Sequence, residues 1–165
     1  MQIRRILYPT DFSEATQVAA NYACDLADKF EAELHVLHVL HDLTMLMPYT
    51  AVALWARPER IAEIVDRAEE LIAVVPDAAW SQGKAVVRKV RVGHVADEIT
   101  TYARQHAIDL IVIGTHGHTG WKHAVLGSIA EKVVRTAGCP VLTIRPKAVQ
   151  VMAHAPENVV QPVEV

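Results

Sequence analysis

The apolar residues of this chain change repeatedly between the spacing of a strand and the spacing of a helix. The run at 109–114, DLIVIG, is apolar at nearly every position, whereas Val18, Tyr22 and Leu26 recur at helical spacing. Strands that alternate with helices require a parallel sheet covered on both faces, and continuous apolar strands fit such a sheet because both their faces are buried. The sequence therefore predicts an α/β fold with an open parallel sheet.

The same period changes give the expected element bounds. Strands are predicted over residues 3–9, 33–40, 85–92, 109–114 and 140–146. Helices are predicted over 14–30, from Pro58 to a stop at Pro76, from Val95 to His106 and from Ile129 to Ala137. At 165 residues a single domain is expected, over 1–146, with 147–165 as a C-terminal extension. The apolar connection at 41–56 is either a loop packed on the domain or a lid or partner surface.

Composition excludes several classes of function. The formal net charge is -3 and no cluster of Lys and Arg resembles a phosphate-backbone track, so no nucleic-acid partner is expected. No segment approaches 18 uninterrupted apolar residues, and no membrane span or signal peptide is expected. The two cysteines, Cys24 and Cys139, have no metal-site or disulfide spacing, which is typical of a reducing compartment. We therefore expect a cytoplasmic protein.

A long loop rich in glycine lies between the fourth predicted strand and the fourth predicted helix. The segment 114–128 reads GTHGHTGWKHAVLGS, whereas connections of this kind usually span 2–6 residues. Glycines let a backbone approach a ligand closely, and the N–H groups of such a loop and of the next helix start can bind an anion. In parallel sheets ligands bind beyond the carboxyl ends of the strands, where this loop, the PTDFS segment (9–13) and the VGH segment (92–94) are expected to meet.

Two features of this loop admit more than one interpretation. Ser128 and Glu131 form an S-x-x-E capping box, so Ser128 is expected either to cap the helix or to bind phosphate through its N–H, and the two roles are compatible. The three histidines, His116, His118 and His123, are expected to be polar neighbours of a phosphate rather than a metal site, because no carboxylate or thiol accompanies them. The sequence predicts no metal ligands and no catalytic residue.

The glycine spacing G-x2-G-x9-G-S, formed by Gly114, Gly117, Gly127 and Ser128, resembles the nucleotide-binding signature of the universal stress protein family. The segments ILYPTDFSE, VGHVADEI, DLIVIGTHG and PVLTIRP agree with it, and the resemblance covers about residues 1–146. It implies five parallel strands in the order 3-2-1-4-5 with helices on both faces. This is a three-layer, Rossmann-like fold of the adenine nucleotide alpha hydrolase type.

The resemblance also implies a ligand and the residues around it. The ligand would be ATP or another adenine nucleotide, and any metal would be Mg²⁺ that enters with the phosphates. Pro9, Thr10 and Asp11 would meet the adenosine, with Asp11 near the ribose, and Val39 would contact adenine. The phosphates would be surrounded by Gly114, His116, Gly117, Gly127, Ser128 and Ile129. From its sequence position alone, Asp11 has a second interpretation as the N-cap of the first helix, for which Ser13 competes.

The family resemblance implies a homodimeric, nucleotide-dependent regulatory protein of the stress response. The last strand, Val141 to Arg145, would pair edge to edge with a second copy, because an exposed edge strand with alternating apolar residues suits such pairing. The alternative function is a slow ATPase or phosphoryl-transfer (autophosphorylating) enzyme on the same fold, which would need a positioned hydroxyl or water and charge stabilisation. Such a regulatory protein would act through protein clients.

Overall fold

The structure is a computed structural model, and it describes residues 2–42, 58–115 and 126–145. The strands are β1 (Arg5–Thr10), β2 (Glu33–His41), β3 (Val86–Gly93), β4 (Leu110–Gly114) and β5 (Val141–Ile144). The helices are α1 (Glu14–Phe30), α2 (Pro58–Ala73), α3 (Ala78–Ser81), α4 (Val95–Gln105) and α5 (Ser128–Thr136). Most of the connection 41–56 and all of the extension 147–165 lie outside the described residues, so the expectations for both remain predictions.

The five strands form one parallel sheet in the order β3-β2-β1-β4-β5. This confirms the expected fold class and strand order. β1 is the central strand, and all five residues of β4 are buried, as its continuous apolar sequence predicts. The order reverses at β1, because the chain passes from β1 to β2 on one side and later to β4 on the other. Such a reversal is where open α/β sheets bind ligands.

Alternate residues of the strands supply two separate cores. In β1, Ile6 and Tyr8 face a cluster with α1, whereas Leu7 faces a cluster with α4 and α5. The same alternation in β2 sends Leu34 and Val36 to the α1 side. Each face of the sheet is therefore covered by its own helices, and the carboxyl edge of the sheet lies between the two helical layers.

At the amino-terminal edge of the sheet, polar side chains make hydrogen bonds within the protein. Asp109 Oδ2 accepts hydrogen bonds from the backbone N–H groups of Arg4 (2.8 Å) and Arg5 (3.0 Å). His35 is 3% exposed and lies 2.9 Å from the hydroxyl of Tyr102 through Nδ1 and 3.1 Å from the Glu33 carboxylate through Nε2. Since a carboxylate only accepts, Nε2 carries the proton and Nδ1 accepts from Tyr102. Both ring nitrogens of His35 therefore have partners.

The short helix α3 is an element that the sequence interpretation lacked. Asp77 caps it by accepting from the Trp80 N–H (2.7 Å), and the buried Trp80 indole donates to Asp28 Oδ2 (2.9 Å). Lys84 lies 2.6 Å from Asp28 Oδ1 and over the Trp80 ring. Pro76 follows the end of α2, as expected, and the chain then makes this extra turn before β3. Among the described residues, none of the helices has both the length and the apolar character to cross a membrane.

Candidate functional site

A cavity of about 210 Å³ opens at the carboxyl edge of the sheet, on the face covered by α4 and α5. Its walls come from the ends of β1, β2 and β4 and from the first turns of α1, α4 and α5. The lining residues are Pro9, Thr10, Asp11, Thr16, Leu37, Val39, Val95, Ile99, Ile113, Gly114, Thr115, Gly127, Ser128, Ile129 and Ala130. The cavity thus lies at the reversal of strand order, where the sequence predicts a ligand.

The structure brings together most of the residues predicted from the sequence. Eight of them line the cavity: Pro9, Thr10, Asp11, Val39, Gly114, Gly127, Ser128 and Ile129. The other two, His116 and Gly117, lie outside the described residues. Of the VGH segment, neither Gly93 nor His94 lines the cavity, and Val95 of α4 takes that place.

Asp11 lies in a tight turn between β1 and α1. Its Oδ1 accepts hydrogen bonds from the Ser13 N–H (3.0 Å), the Ser13 hydroxyl (2.6 Å) and the Thr16 hydroxyl (3.0 Å). Ser13, not Asp11, is the N-cap of α1 and accepts from the Thr16 N–H. The interpretation of Asp11 as the N-cap is therefore wrong. With Ser13 as the cap, the role of Asp11 as an acceptor for ribose hydroxyls stays a prediction, and these three bonds to Oδ1 fix the carboxylate at the cavity wall.

Phe12, in the same turn, has a left-handed backbone with φ of 63°. For a residue with a Cβ this conformation costs roughly 1–2 kcal/mol and calls for local support. The Phe12 N–H donates to the Thr10 hydroxyl (3.0 Å), and the Phe12 ring stacks on His38 with 4.4 Å between ring centroids. His38 Nδ1 lies 2.8 Å from the Thr10 carbonyl oxygen. The Thr10–Ser13 turn is therefore held by side chains from two strands.

The β4 and α5 ends of the glycine loop meet at one hydrogen bond. The Gly127 N–H donates to the Thr115 carbonyl (2.7 Å), and the Thr115 N–H donates to the Ile144 carbonyl of β5 (2.8 Å). Gly127 is the N-cap of α5 and makes no side-chain capping bond, with φ of -69°. Any residue can adopt that φ, so the backbone conformation does not by itself require glycine at this position of the cavity wall.

The expected capping box of Ser128 and Glu131 does not form. Because the Thr115–Gly127 hydrogen bond holds Gly127 at the N-cap position, Ser128 becomes the first residue of α5, one position too late for its hydroxyl to cap. The amides of Ser128 and Ile129 begin the helix and have no carbonyl within it to bond. Both residues are exposed and line the cavity. This helix start therefore presents N–H groups and the positive end of its dipole to the cavity.

The chemistry of the cavity wall changes in order across the sheet. The β2 side is apolar, with Leu37 and Val39 facing Ile99 of α4. The middle, at the end of β1, carries the Asp11 carboxylate and the hydroxyls of Thr10 and Thr16. The β4 side has the glycines and the start of α5. Since neighbouring strands lie about 4.8 Å apart, these regions follow one another over about 10 Å.

Several lining residues were missed in the sequence interpretation. Leu37 shares a sheet face with Val39 two residues later, so the strand period alone could have identified it. Val95 begins the helix after VGH and Ile99 follows one turn later, so both could have been found from their helical spacing. No sequence pattern identifies Thr16 as a lining residue, because its hydroxyl reaches Asp11 only through the geometry of the turn.

Burial keeps the tyrosine behind this turn neutral. Tyr8 is 1% exposed and its hydroxyl donates to the Thr16 carbonyl (2.8 Å). Loss of solvent raises the pKa of Tyr8 well above its ordinary value.

Within residues 2–42, 58–115 and 126–145, no three His, Cys, Asp or Glu side chains lie close enough together to hold a metal ion. The expected histidines of the loop, and Lys122 and Trp121 beside them, lie outside these ranges.

Known proteins share both this sequence and this architecture. Residues 2–145 match the model of the universal stress protein family. The universal stress protein MJ0531 of Methanocaldococcus jannaschii is 34% identical over 143 residues, which cover 86% of this chain and 82% of the relative. The solved structure of protein MJ0577, which is named as a universal stress protein of the same organism, has a TM-score of 0.78 at 27% identity and covers 90% of this chain and 100% of that one.

Two more distant structures share the fold and are nucleotide complexes. One is the universal stress protein of Archaeoglobus fulgidus with dAMP, at TM-score 0.59 and 20% identity, covering 87% of this chain and 98% of that one. The other is a universal stress protein with cAMP, at TM-score 0.56 and 22% identity, with the same coverage. The family match over nearly all of the sheet and the 34% identical relative decide the assignment. This chain belongs to the universal stress protein family.

Proposed function

We propose that this protein binds an adenine nucleotide, with ATP as the first candidate, in the cavity at the carboxyl edge of the sheet. The observation that carries the proposal is the order of the cavity wall, which is apolar at β2, acidic and hydroxyl-bearing at β1, and lined by glycine and helix-start amides at β4. A nucleotide has the same sequence of parts: a flat apolar base, a hydroxyl-bearing sugar and an anionic tail. Since two structures of this fold are complexes with dAMP and cAMP, adenine nucleotides are the first ligands to test.

At the β2 side, adenine would lie against Val39 and Leu37. Both are buried side chains of the cluster with α4, and Ile99 closes the opposite wall. Burial of a flat base against three aliphatic side chains is favoured by removal of apolar surface from water, about 25 cal/mol for each Å². The base thereby gains affinity without needing a charged partner.

At the middle, the ribose hydroxyls would donate to the carboxylate of Asp11. A carboxylate offers about four acceptor positions, and hydrogen bonds to a charged group contribute about 1.5–3 kcal/mol. The bonds from Ser13 and Thr16 hold this carboxylate in place before a ligand arrives. The ordering cost of binding is therefore reduced.

At the β4 side, the phosphates would lie against Gly114 and the start of α5. The N–H groups of Ser128 and Ile129 and the helix dipole favour an anion there. His116 and Gly117 belong to the predicted phosphate contacts by sequence position, and any Mg²⁺ would arrive with the phosphates. This side of the cavity would distinguish ATP from adenosine.

Calorimetric titration with ATP, ADP, AMP, adenosine and GTP tests the proposal. ATP should bind more tightly than adenosine, because only ATP reaches the α5 amides, and GTP should bind more weakly than ATP. Absence of heat with every adenine nucleotide, in protein stripped of any co-purified small molecule, would refute it. Release of inorganic phosphate from the same mixtures measures the alternative, slow hydrolysis, and turnover that persists in Asp11→Asn and Ser128→Ala protein would point to a contaminant.

We also propose that the protein is a homodimer joined through β5. β5 ends the sheet, and Leu142 is 38% exposed on it. The Pro140 carbonyl accepts from Ile111 of β4, and the Ile144 carbonyl accepts from Thr115 just after β4, so by alternation the N–H and C=O of Thr143 point away from the sheet. A second β5 could pair with these groups.

Thr143→Pro tests this pairing selectively. Proline removes only an N–H that faces away from β4, so the sheet should survive while the edge is blocked. Light scattering after size exclusion should show a dimer for the parent and for the control Thr143→Ala, and a monomer for Thr143→Pro. A dimer that survives Thr143→Pro with unchanged stability would exclude β5 as the interface.

A further inference from the structure

The left-handed residue in the turn at the cavity is unusual among those that the structure describes. Three described residues other than glycine have positive φ: Phe12, Glu31 and Ala107. Glu31 and Ala107 end α1 and α4, where a left-handed residue is a common way to stop a helix. Phe12 instead precedes a helix, lies one residue after Asp11 and is a bulky aromatic. Contacts with other residues must therefore stabilise the left-handed backbone at Phe12.

His38 is the side chain that supports Phe12. Its ring stacks on the Phe12 ring at 4.4 Å with 29° between the planes, and its Nδ1 lies 2.8 Å from the Thr10 carbonyl oxygen. A carbonyl oxygen only accepts, so Nδ1 is the donor. His38 therefore contacts the turn on both sides of Asp11, through the residue before it and the residue after it.

His38 acts from the face of the sheet opposite to the cavity. In β2, Leu34 and Val36 face α1, and His38 continues that alternation, whereas Leu37 and Val39 face the cavity. Phe12 packs against the α1-side cluster as well, and neither it nor His38 lines the cavity. His38 thus has the position of a support behind the wall and not of a ligand contact.

We propose that His38 is a positioning residue for the Asp11 carboxylate. By stacking on Phe12 and bonding to Thr10, it holds the left-handed turn that presents Asp11 to the ribose. The inference rests on the proposed nucleotide function and adds the residue that sets its sugar recognition. A structural role alone would affect every ligand equally, whereas positioning of Asp11 affects only ligands that have ribose hydroxyls.

The test compares ATP with 2′,3′-dideoxy-ATP, which lacks both ribose hydroxyls. In the parent, ATP should bind about tenfold more tightly than the dideoxy nucleotide, because the bonds to Asp11 are lost. In His38→Ala, ATP affinity should fall about tenfold while affinity for the dideoxy nucleotide changes less than twofold. His41→Ala is the matched control, since His41 is an exposed histidine at the end of the same strand, and both affinities should stay within twofold of the parent.

Each other outcome has a definite meaning. Equal losses for both nucleotides in His38→Ala, or no loss for ATP, would overturn the positioning role and leave nucleotide binding standing. Equal affinity of the parent for the two nucleotides would overturn it as well. If the parent bound neither, the proposed function and this inference would fail together.

A second route separates positioning from folding. Phe12→Gly should remove the need for support, because glycine adopts positive φ without strain. The double variant Phe12→Gly/His38→Ala should therefore fold and bind ATP within about threefold of Phe12→Gly alone. If His38→Ala cost as much in the glycine background as in the parent, or if the double variant folded and bound ATP no better than His38→Ala, the support would not act through Phe12 and the proposal would be wrong.

Discussion

The two edges of the parallel sheet are built in opposite ways. At the amino-terminal edge, Asp109 bonds two backbone N–H groups and His35 has a partner on each ring nitrogen. At the carboxyl edge, Phe12 has a strained backbone, and the first amides of α5 have no carbonyl within the helix. The first edge satisfies its polar groups with the protein's own atoms, while the second keeps donors and acceptors directed at a cavity.

This contrast means that stability and binding are expected to be separable in this molecule. Polar groups that are paired internally contribute to folding, and groups held ready for a ligand contribute to binding at some cost in strain. Substitutions at the amino-terminal edge should therefore lower the free energy of unfolding without changing nucleotide affinity. Substitutions at the carboxyl edge should lower nucleotide affinity without lowering the free energy of unfolding.

The largest expected effect comes from filling the apolar part of the cavity with Val39→Trp. The indole would occupy the space proposed for adenine, and ATP affinity should fall at least about 100-fold, or about 2.7 kcal/mol. Because the ring enters an existing cavity, the free energy of unfolding should change by less than about 1.5 kcal/mol. Calorimetry and urea unfolding measure the two quantities.

Val92→Trp is the control for that change, since Val92 is an exposed valine, 51% accessible, on the edge strand β3. Its ATP affinity should equal that of the parent. Retention of parent affinity by Val39→Trp would show that the ligand does not use the β2 side of the cavity. The proposal that the carboxyl edge serves binding would then fail at this side.

The next effect tests the amino-terminal edge with Tyr102→Phe. Removal of the hydroxyl leaves the buried His35 Nδ1 without its donor, so the protein should lose about 1–2 kcal/mol of stability in urea unfolding. ATP affinity should remain within twofold. The matched Tyr22→Phe, at an exposed tyrosine, should change stability by less than about 0.5 kcal/mol. A fall in affinity as large as the fall in stability would mean that the two edges are coupled through α4.

The smallest effect is a pH dependence that originates at His35. Burial lowers its pKa in the folded protein, and the nearby charges of His106 and Arg5 act in the same direction, against the hydrogen bond and charge of Glu33. The unfolded chain, with a histidine pKa of about 6.5, then binds more protons than the folded one as pH falls below that value. The contribution of His35 to stability is present above about pH 6.5 and is lost as pH falls towards the folded pKa.

His35→Gln should therefore flatten the change in unfolding free energy between pH 7.5 and 5.5, by less than about 1 kcal/mol. The exposed His94→Gln serves as the control and should leave the pH profile of the parent unchanged. A profile of His35→Gln parallel to that of the parent would show that His35 contributes nothing to the acid sensitivity of folding.

The fold could be predicted almost completely because its signals are local and repeated. The helical period from Val18 onwards, with Ser13 available as N-cap, gives α1 the bounds that were expected, 14–30. The run at 109–114 has the length and continuous apolar character of a strand buried on both faces, and β4 lies at Leu110–Gly114. Most predicted site residues also meet at one cavity, because the carboxyl ends of parallel strands share an edge of the sheet.

The remaining differences arise where a distant contact overrides a local pattern. Ser128 has the S-x-x-E pattern of a cap, but the hydrogen bond from Gly127 to Thr115 moves the N-cap one residue earlier. α3 is too short to show a period, and its buried Trp80 is held by Asp28, 52 residues away in sequence. The support of Phe12 by His38 joins the turn after β1 to β2 and has no signature within either segment.

The hydrogen bond between Gly127 and Thr115 has a consequence for how this family could diversify. Because Thr115 and Gly127, which flank the segment 116–126, are joined at 2.7 Å, we expect that its length and sequence can be exchanged without moving β4 or α5. Closing a longer segment costs little, about 0.6 kcal/mol for each doubling of its length. Grafting of segments from other sources between Thr115 and Gly127 is therefore a practical route to new ligand preferences on an unchanged scaffold.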